Sequence, residues 1–163
     1  MGNLFGTLFK TQLTANDASA KEDLGSLRFE FDAANGGLKI YKYVQAAADT
    51  TVANGTALAY ANAYGWQVTN DESDSDQNRP AGVGIGAITA SHYGWIQVGG
   101  HHPAIKTDGT GDITANDTLI LATTDGTVDS VAAGTASTHR PIGVAVADDT
   151  AGNTVAGFIQ GLI

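Results

Sequence analysis

The chain has no cysteine in 163 residues, which excludes a disulfide framework, a thiolate metal site and a cysteine nucleophile. Charged residues are also scarce, at 15% against the quarter usual in soluble domains. The few charges are unevenly placed. Residues 1–45 balance five bases against five acids, while residues 46–163 set Arg79, Lys106 and Arg140 against twelve acids, so the net charge of −9 lies wholly on the later part. Such a surface repels phosphate backbones and anionic lipids, which excludes direct nucleic-acid binding. No apolar run is long enough to span a membrane as a helix. Met1-Gly2-Asn3-Leu4-Phe5-Gly6 lacks the basic start and unbroken apolar run of a signal peptide, so use without export by that route is expected.

Thr, Ser, Asn and 21 glycines keep the chain polar, a mix that suits a turn-rich all-β protein. Leu27, Phe29 and Phe31 alternate with Arg28, Glu30 and Asp32, the period of a strand with one buried face. Asn35-Gly36-Gly37 then turns the chain into Leu38–Val44, which predicts a hairpin over residues 24–47. A second hairpin is predicted across Asp125-Gly126, between Thr118–Ala122 and Gly126–Val131. No long amphipathic helix is written anywhere.

From about residue 48 one unit is written twice, with a period of roughly 62 residues. Ala53-Asn54-Gly55-Thr56-Ala57-Leu58 recurs as Ala115-Asn116-Asp117-Thr118-Leu119-Ile120. Arg79-Pro80-Ala81-Gly82-Val83-Gly84 recurs as Arg140-Pro141-Ile142-Gly143-Val144-Ala145, and Gly94-Trp95-Ile96-Gln97 as Gly157-Phe158-Ile159-Gln160. Turns and apolar strands are repeated, rather than acids, bases or metal ligands. The expected organisation is an arm over 1–23 and one β-barrel or β-tulip-like domain over 24–163. That domain comprises the hairpin and two related halves, about 48–100 and 110–163.

The chemical candidates are weak. Asp74-x-Asp76-x-Asn78 imitates a calcium loop, but Arg79 stands where its glycine must turn and Ile85 where a carboxylate must close the shell. Gly82-x-Gly84-x-Gly86 lacks the spacing and following helix of a phosphate cradle, and reads instead as a bare strand face for close packing within or between subunits. His92, His101, His102 and His139 have no carboxylate at an orienting spacing, and adjacent His101 and His102 point to opposite faces of a strand. Tyr64-Gly65-Trp66 and Tyr93-Gly94-Trp95 suit core or interface filling more than a sugar platform. The expectation is no catalytic, cofactor or metal site, and no enzyme.

In the arm, Leu4, Phe5, Leu8, Phe9 and Leu13 are the candidate capsid- or subunit-contacting residues. Phe5, Phe9 and Leu13 would share one side of a helix, although Gly6, Thr7 and Thr11 favour an extended arm equally. The arm either packs back on its own barrel or docks on another chain.

Three stretches together resemble the capsid decoration, or cement, proteins of tailed bacteriophages. They are the hairpin from Leu24-Gly25-Ser26-Leu27-Arg28 to Lys39–Ala46, the strand Tyr93-Gly94-Trp95-Ile96-Gln97-Val98, and Arg140–Ala147. The resemblance covers roughly residues 24–163. It implies a homotrimer on the outside of an expanded capsid, at three-fold and quasi-three-fold sites, clamping neighbouring major capsid subunits. It also implies a virion protein made in the host cytoplasm, with no catalytic residue to carry over. The alternative is a carbohydrate- or receptor-binding β module of a phage tail or head fibre.

Overall fold

The computed structural model describes residues 9–34, 37–61, 65–71, 79–110, 112–149 and 153–160. Among the described residues ten strands run in chain order: β1 (Leu27–Asp32), β2 (Gly37–Ala46), β3 (Ala57–Tyr60), β4 (Gln67–Thr69), β5 (Pro80–Gly84), β6 (Tyr93–Lys106), β7 (Thr118–Leu121), β8 (Val128–Val131), β9 (Gly143–Ala145) and β10 (Thr154–Ile159). The all-β class expected from the turn-rich sequence is the one observed. The strands join in the order β1-β2-β4-β3-β5-β6-β10-β9-β7-β8, and an additional β2–β6 pairing closes part of this sheet into a ring.

That first ring runs β2-β4-β3-β5-β6 and back to β2, all antiparallel except β2–β4. Strands β10, β9, β7 and β8 form a second circuit with β6, in the order β6-β10-β9-β7-β8, completed by a parallel bridge between Thr107, just past β6, and Val128 of β8. β6 is 14 residues long and belongs to both. Its first half pairs with β2 and β5, and its second half with β10.

Strand register gives the repeat its true spacing. Ala57 pairs Val83 and Leu58 pairs Gly82; Thr118 pairs Val144 and Leu119 pairs Gly143, each 61 residues further on. The turns obey the same offset. Thr56 N–H donates to Ala53 O as Asp117 N–H donates to Thr114 O, and the last residue's side chain accepts from the first residue's N–H in both (3.2 and 3.0 Å). The positive-φ position is Gly55 in one copy and Asn116 in the other, two residue types that tolerate it. Matching Asn54 to Asn116 by letter is therefore one residue out. Matching Trp95-Ile96-Gln97 to Phe158-Ile159-Gln160 is two out, because Gln97 opposite Val83 corresponds to Phe158 opposite Val144. The pairing also carries the repeat back into β2, whose counterpart is the second half of β6: Ala46 pairs Val68 in parallel as Thr107 pairs Val128.

Each ring encloses an apolar core at matching positions. Val44, Val52, Leu58, Val68, Ala81 and Val98 fill the first, and Ile105, Ile113, Leu119, Val128, Ile142 and Ile159 the second. Where the second ring uses larger side chains it also has Gly157 in place of Ile96. A Cβ at Gly157 would stand 2.8 Å from Ile105 Cδ1 and 2.9 Å from Leu119 Cδ1, so total volume is conserved rather than residue identity. Ala57, Ala59 and Val83, on the outer face of β3 and β5, join the second core and fuse the two bodies.

One pair changes character between the copies. Ala46 and Ile88 in the first ring become Thr107 and Asp149 in the second, where the buried Thr107 hydroxyl donates to Asp149 Oδ2 at 2.7 Å. Asp149 Oδ1 is buried and has no hydrogen-bond partner among the described residues. T107A should therefore destabilise the fold by about 1–3 kcal/mol by removing the carboxylate's donor. The double change T107A/D149I, which copies the first ring, should recover that loss; urea denaturation of the three proteins measures both effects.

Candidate docking surface

The outer face of the first ring is aromatic. Tyr41 and Tyr43 from β2 and Trp95 from β6 are buried there, because outward positions on neighbouring antiparallel strands stand side by side: Tyr43 pairs with Trp95 in register. The arm covers them. From residue 9 to 17 it alternates between half-buried and exposed positions, so it is extended rather than helical. Phe9 meets the Trp95 ring edge-on at 5.3 Å, with the Arg28 guanidinium 5.2 Å from the Phe9 centroid. Leu13 and Leu24 pack on the same cluster.

Polar contacts hold the arm at several points. Asp17 exchanges backbone hydrogen bonds with Tyr93, each 2.8 Å. Its Oδ2 accepts from the Thr11 hydroxyl and the Tyr43 hydroxyl, both at 2.9 Å. Burial pushes the Tyr43 phenol up to about 12, so it remains a donor throughout the neutral range. The backbone N–H groups of Lys10 and Thr11 both donate to Glu22 Oε1. Asn16 is tied to Thr89 and to His92 Nδ1. Gly94 lets the arm approach, since a Cβ there would lie 2.8 Å from Ala15 O.

Of the candidate contact residues, Phe9 and Leu13 thus face this chain's own ring. Leu4, Phe5 and Leu8 lie outside the described residues. The exposed apolar surface is instead on the hairpin, which sequence alternation reveals as a strand pair but not as an uncovered one. Phe29, Phe31 and Leu38 are 54%, 77% and 51% exposed, and Phe31 stands directly opposite Leu38. They continue the inward face of β2, where Ile40 is half-buried against the first core. The hairpin's other face carries the ion pairs Arg28–Glu30 and Lys39–Asp32. Trp66, Val146 and Phe158 are the other exposed large apolar side chains among the described residues.

The remaining candidates are separated. His92 precedes β6, His101 and His102 lie within it, and His139 lies in the β8–β9 connection. His102 is buried, its Nδ1 accepting from Ala104 N–H at 3.2 Å, while its neighbour His101 is half-exposed. No cluster of three or more metal-ligating side chains occurs among the described residues. Residues 72–78, with the acidic motif, lie outside them. A Cβ at Gly82 would lie 2.5 Å from Gln97 O and one at Gly84 2.3 Å from Ala53 O, so this bare strand face serves close backbone packing within the chain. Trp95 is 1% exposed and unable to stack a sugar, whereas Trp66 is 38% exposed and Tyr64 lies outside the described residues.

No family model and no curated protein matches this chain. Among solved structures it is similar to the head fiber gp8.5 N base in bacteriophage phi29, at 17% identity and a TM-score of 0.47. That likeness spans 75% of this chain and 94% of the other.

Two outcomes are expected here. F9A should loosen the arm by about 1–2 kcal/mol, seen as a red shift of Trp95 emission and faster tryptic cleavage after Lys10 and Lys21. Burial holds His102 down at about 4, against an ordinary value of 6.5, with the Gly84 hydrogen bond opposing and Lys39 and His101 assisting. The unfolded chain therefore takes up a proton that the folded chain refuses between these values. Stability should fall by about 3 kcal/mol as pH drops from 6.5 toward 4. In H102Q that part of the loss should vanish, as measured by urea midpoints across this range.

Proposed function

We propose that this protein is a structural component of a tailed-phage virion. In this reading it seats as a homotrimer on the outside of an expanded capsid, at three-fold and quasi-three-fold positions, and clamps neighbouring major capsid subunits. The observation that carries the reading is the exposed hairpin face of Phe29, Phe31 and Leu38, on a body whose other large apolar side chains are mostly enclosed among the described residues. An exposed apolar cluster edged by charged residues is the surface expected of a part that binds another protein. The resemblance of residues 24–163 to cement proteins supplies the identity of that partner.

The body suits the task physically. Two fused rings offer a rigid mount, and the low charge limits the desolvation cost of burying surface against a shell. Leu4, Phe5 and Leu8 add apolar side chains ahead of the point where Phe9 anchors the arm, and in this reading they contribute further shell contacts.

The test is to mix the purified protein with expanded shells that lack it and image the particles. Density at three-fold positions is expected; bare shells at saturating protein would overturn the reading. L38K places a charge on the hairpin face without altering the strand's backbone pairing. It should weaken binding at least tenfold, about 1.4 kcal/mol, while leaving circular dichroism unchanged. Deletion of residues 2–8 should give a smaller loss in the same assay.

A further inference from the structure

The outer edge of β1 is the second unusual feature of the hairpin. Among the described residues β1 pairs with β2 alone, and no backbone group bonds its other side. Which groups are free follows from the ladder. Tyr43 N–H donates to Ser26 O at 3.0 Å, and hydrogen-bonded pairs alternate in antiparallel sheets, so Arg28, Glu30 and Asp32 turn their N–H and C=O toward β2. Leu27, Phe29 and Phe31 turn theirs outward. An open run of this kind is a template for another strand.

We propose that β1 pairs with β1 of a second copy of this chain, antiparallel and centred on Phe29. Charge selects both the occupant and the register. Centring on Arg28 would set two guanidinium groups opposite each other; centring on Glu30 would oppose two carboxylates, set Arg28 against an Asp32 already held by Lys39, and leave the outward groups of Leu27 beyond the partner strand. Centring on Phe29 sets Arg28 of one copy opposite Glu30 of the other, twice. The pairing uses the outward groups of Leu27, Phe29 and Phe31, giving about six new backbone hydrogen bonds. Each Arg28 already binds Glu30 of its own strand, so the four charges alternate in sign around the two-fold axis. On the opposite face Phe29 meets Phe29 of the second copy, and Leu27 meets Phe31. Such cross-strand pairs are the unit by which sheets are stabilised.

The contact is two-fold, so it joins protomers that no three-fold axis relates, and it stands apart from the nature of any shell partner. It leaves Phe29, Phe31 and Leu38 on one face of a four-stranded sheet, doubling the apolar surface.

Native mass spectrometry of the full chain tests it. The wild type should show assemblies of even copy number. F29P removes an outward N–H while sparing the ladder to β2, and should halve the mass with the circular dichroism spectrum unchanged. E30R sets arginine against arginine and should halve it too. R28E sets glutamate against glutamate, and mixing it with E30R restores opposite charges at both positions, so a mixed species should form that neither variant makes alone. If R28E fails to fold, F29P and E30R decide the matter. Odd copy numbers alone in the wild type, or masses unmoved by F29P and E30R, would overturn the proposal.

Discussion

Strand β6 is the constraint on which the whole molecule depends. Its first half holds β2 and β5, its second half holds β10, and the residue after it bridges β8. Neither ring can close without it. A single backbone therefore sets the register of two cores, and a slip of one residue would turn Ile96 and Val98 out of the first ring and Ile105 out of the second. The two bodies accordingly form one folding problem rather than two. Glycines mark where this strand passes between them: a Cβ at Gly100 would meet Leu38 O at 2.3 Å, and Gly99 packs under Ile40.

The arm adds a third layer to the first ring. In β-rich proteins an outward face of Tyr41, Tyr43 and Trp95 needs cover, and here the chain ahead of the hairpin supplies it. The cover is held by specific hydrogen bonds as well as by rings, so it behaves as part of the body. Uncovered apolar surface is thereby concentrated on the hairpin, whose two faces differ sharply: ion pairs on one, phenylalanines on the other.

Much of the architecture was legible in the residues. The alternation of Leu27, Phe29 and Phe31 marked β1, Asp125-Gly126 marked the β7–β8 turn, and the repeated Arg-Pro strand marked β5 and β9. Letter matches at Asn54 and Gln97 overshoot the true offset by one and two residues because letters and backbone roles part company. Glycine and asparagine fill the same left-handed position at different letter matches, and Ile96 and Gly157 fill one core position with opposite sizes. The counterpart of β2 could not be found by eye, since Tyr41 and His102 share a place in the rings and little chemistry. Apolar composition located the arm as a contact element, yet nothing in its spacing told whether the surface it meets is its own. That depends on Tyr43 and Trp95 lying side by side, a fact of register about 50 residues apart in the chain.

The Thr107–Asp149 pair acquires a further meaning beside those twin cores. A chain containing two nearly interchangeable interiors risks threading a strand of one through the other, the characteristic failure of repeated sequences. Where the two cores differ only by Val for Ile, hydrophobic side chains discriminate poorly. Placing Thr107 against Ile88 would bury a hydroxyl without its acceptor, and placing Asp149 against Ala46 a carboxylate without its donor. The hydrogen bond is thus a label as well as a support: it tells each half of the chain which ring is its own.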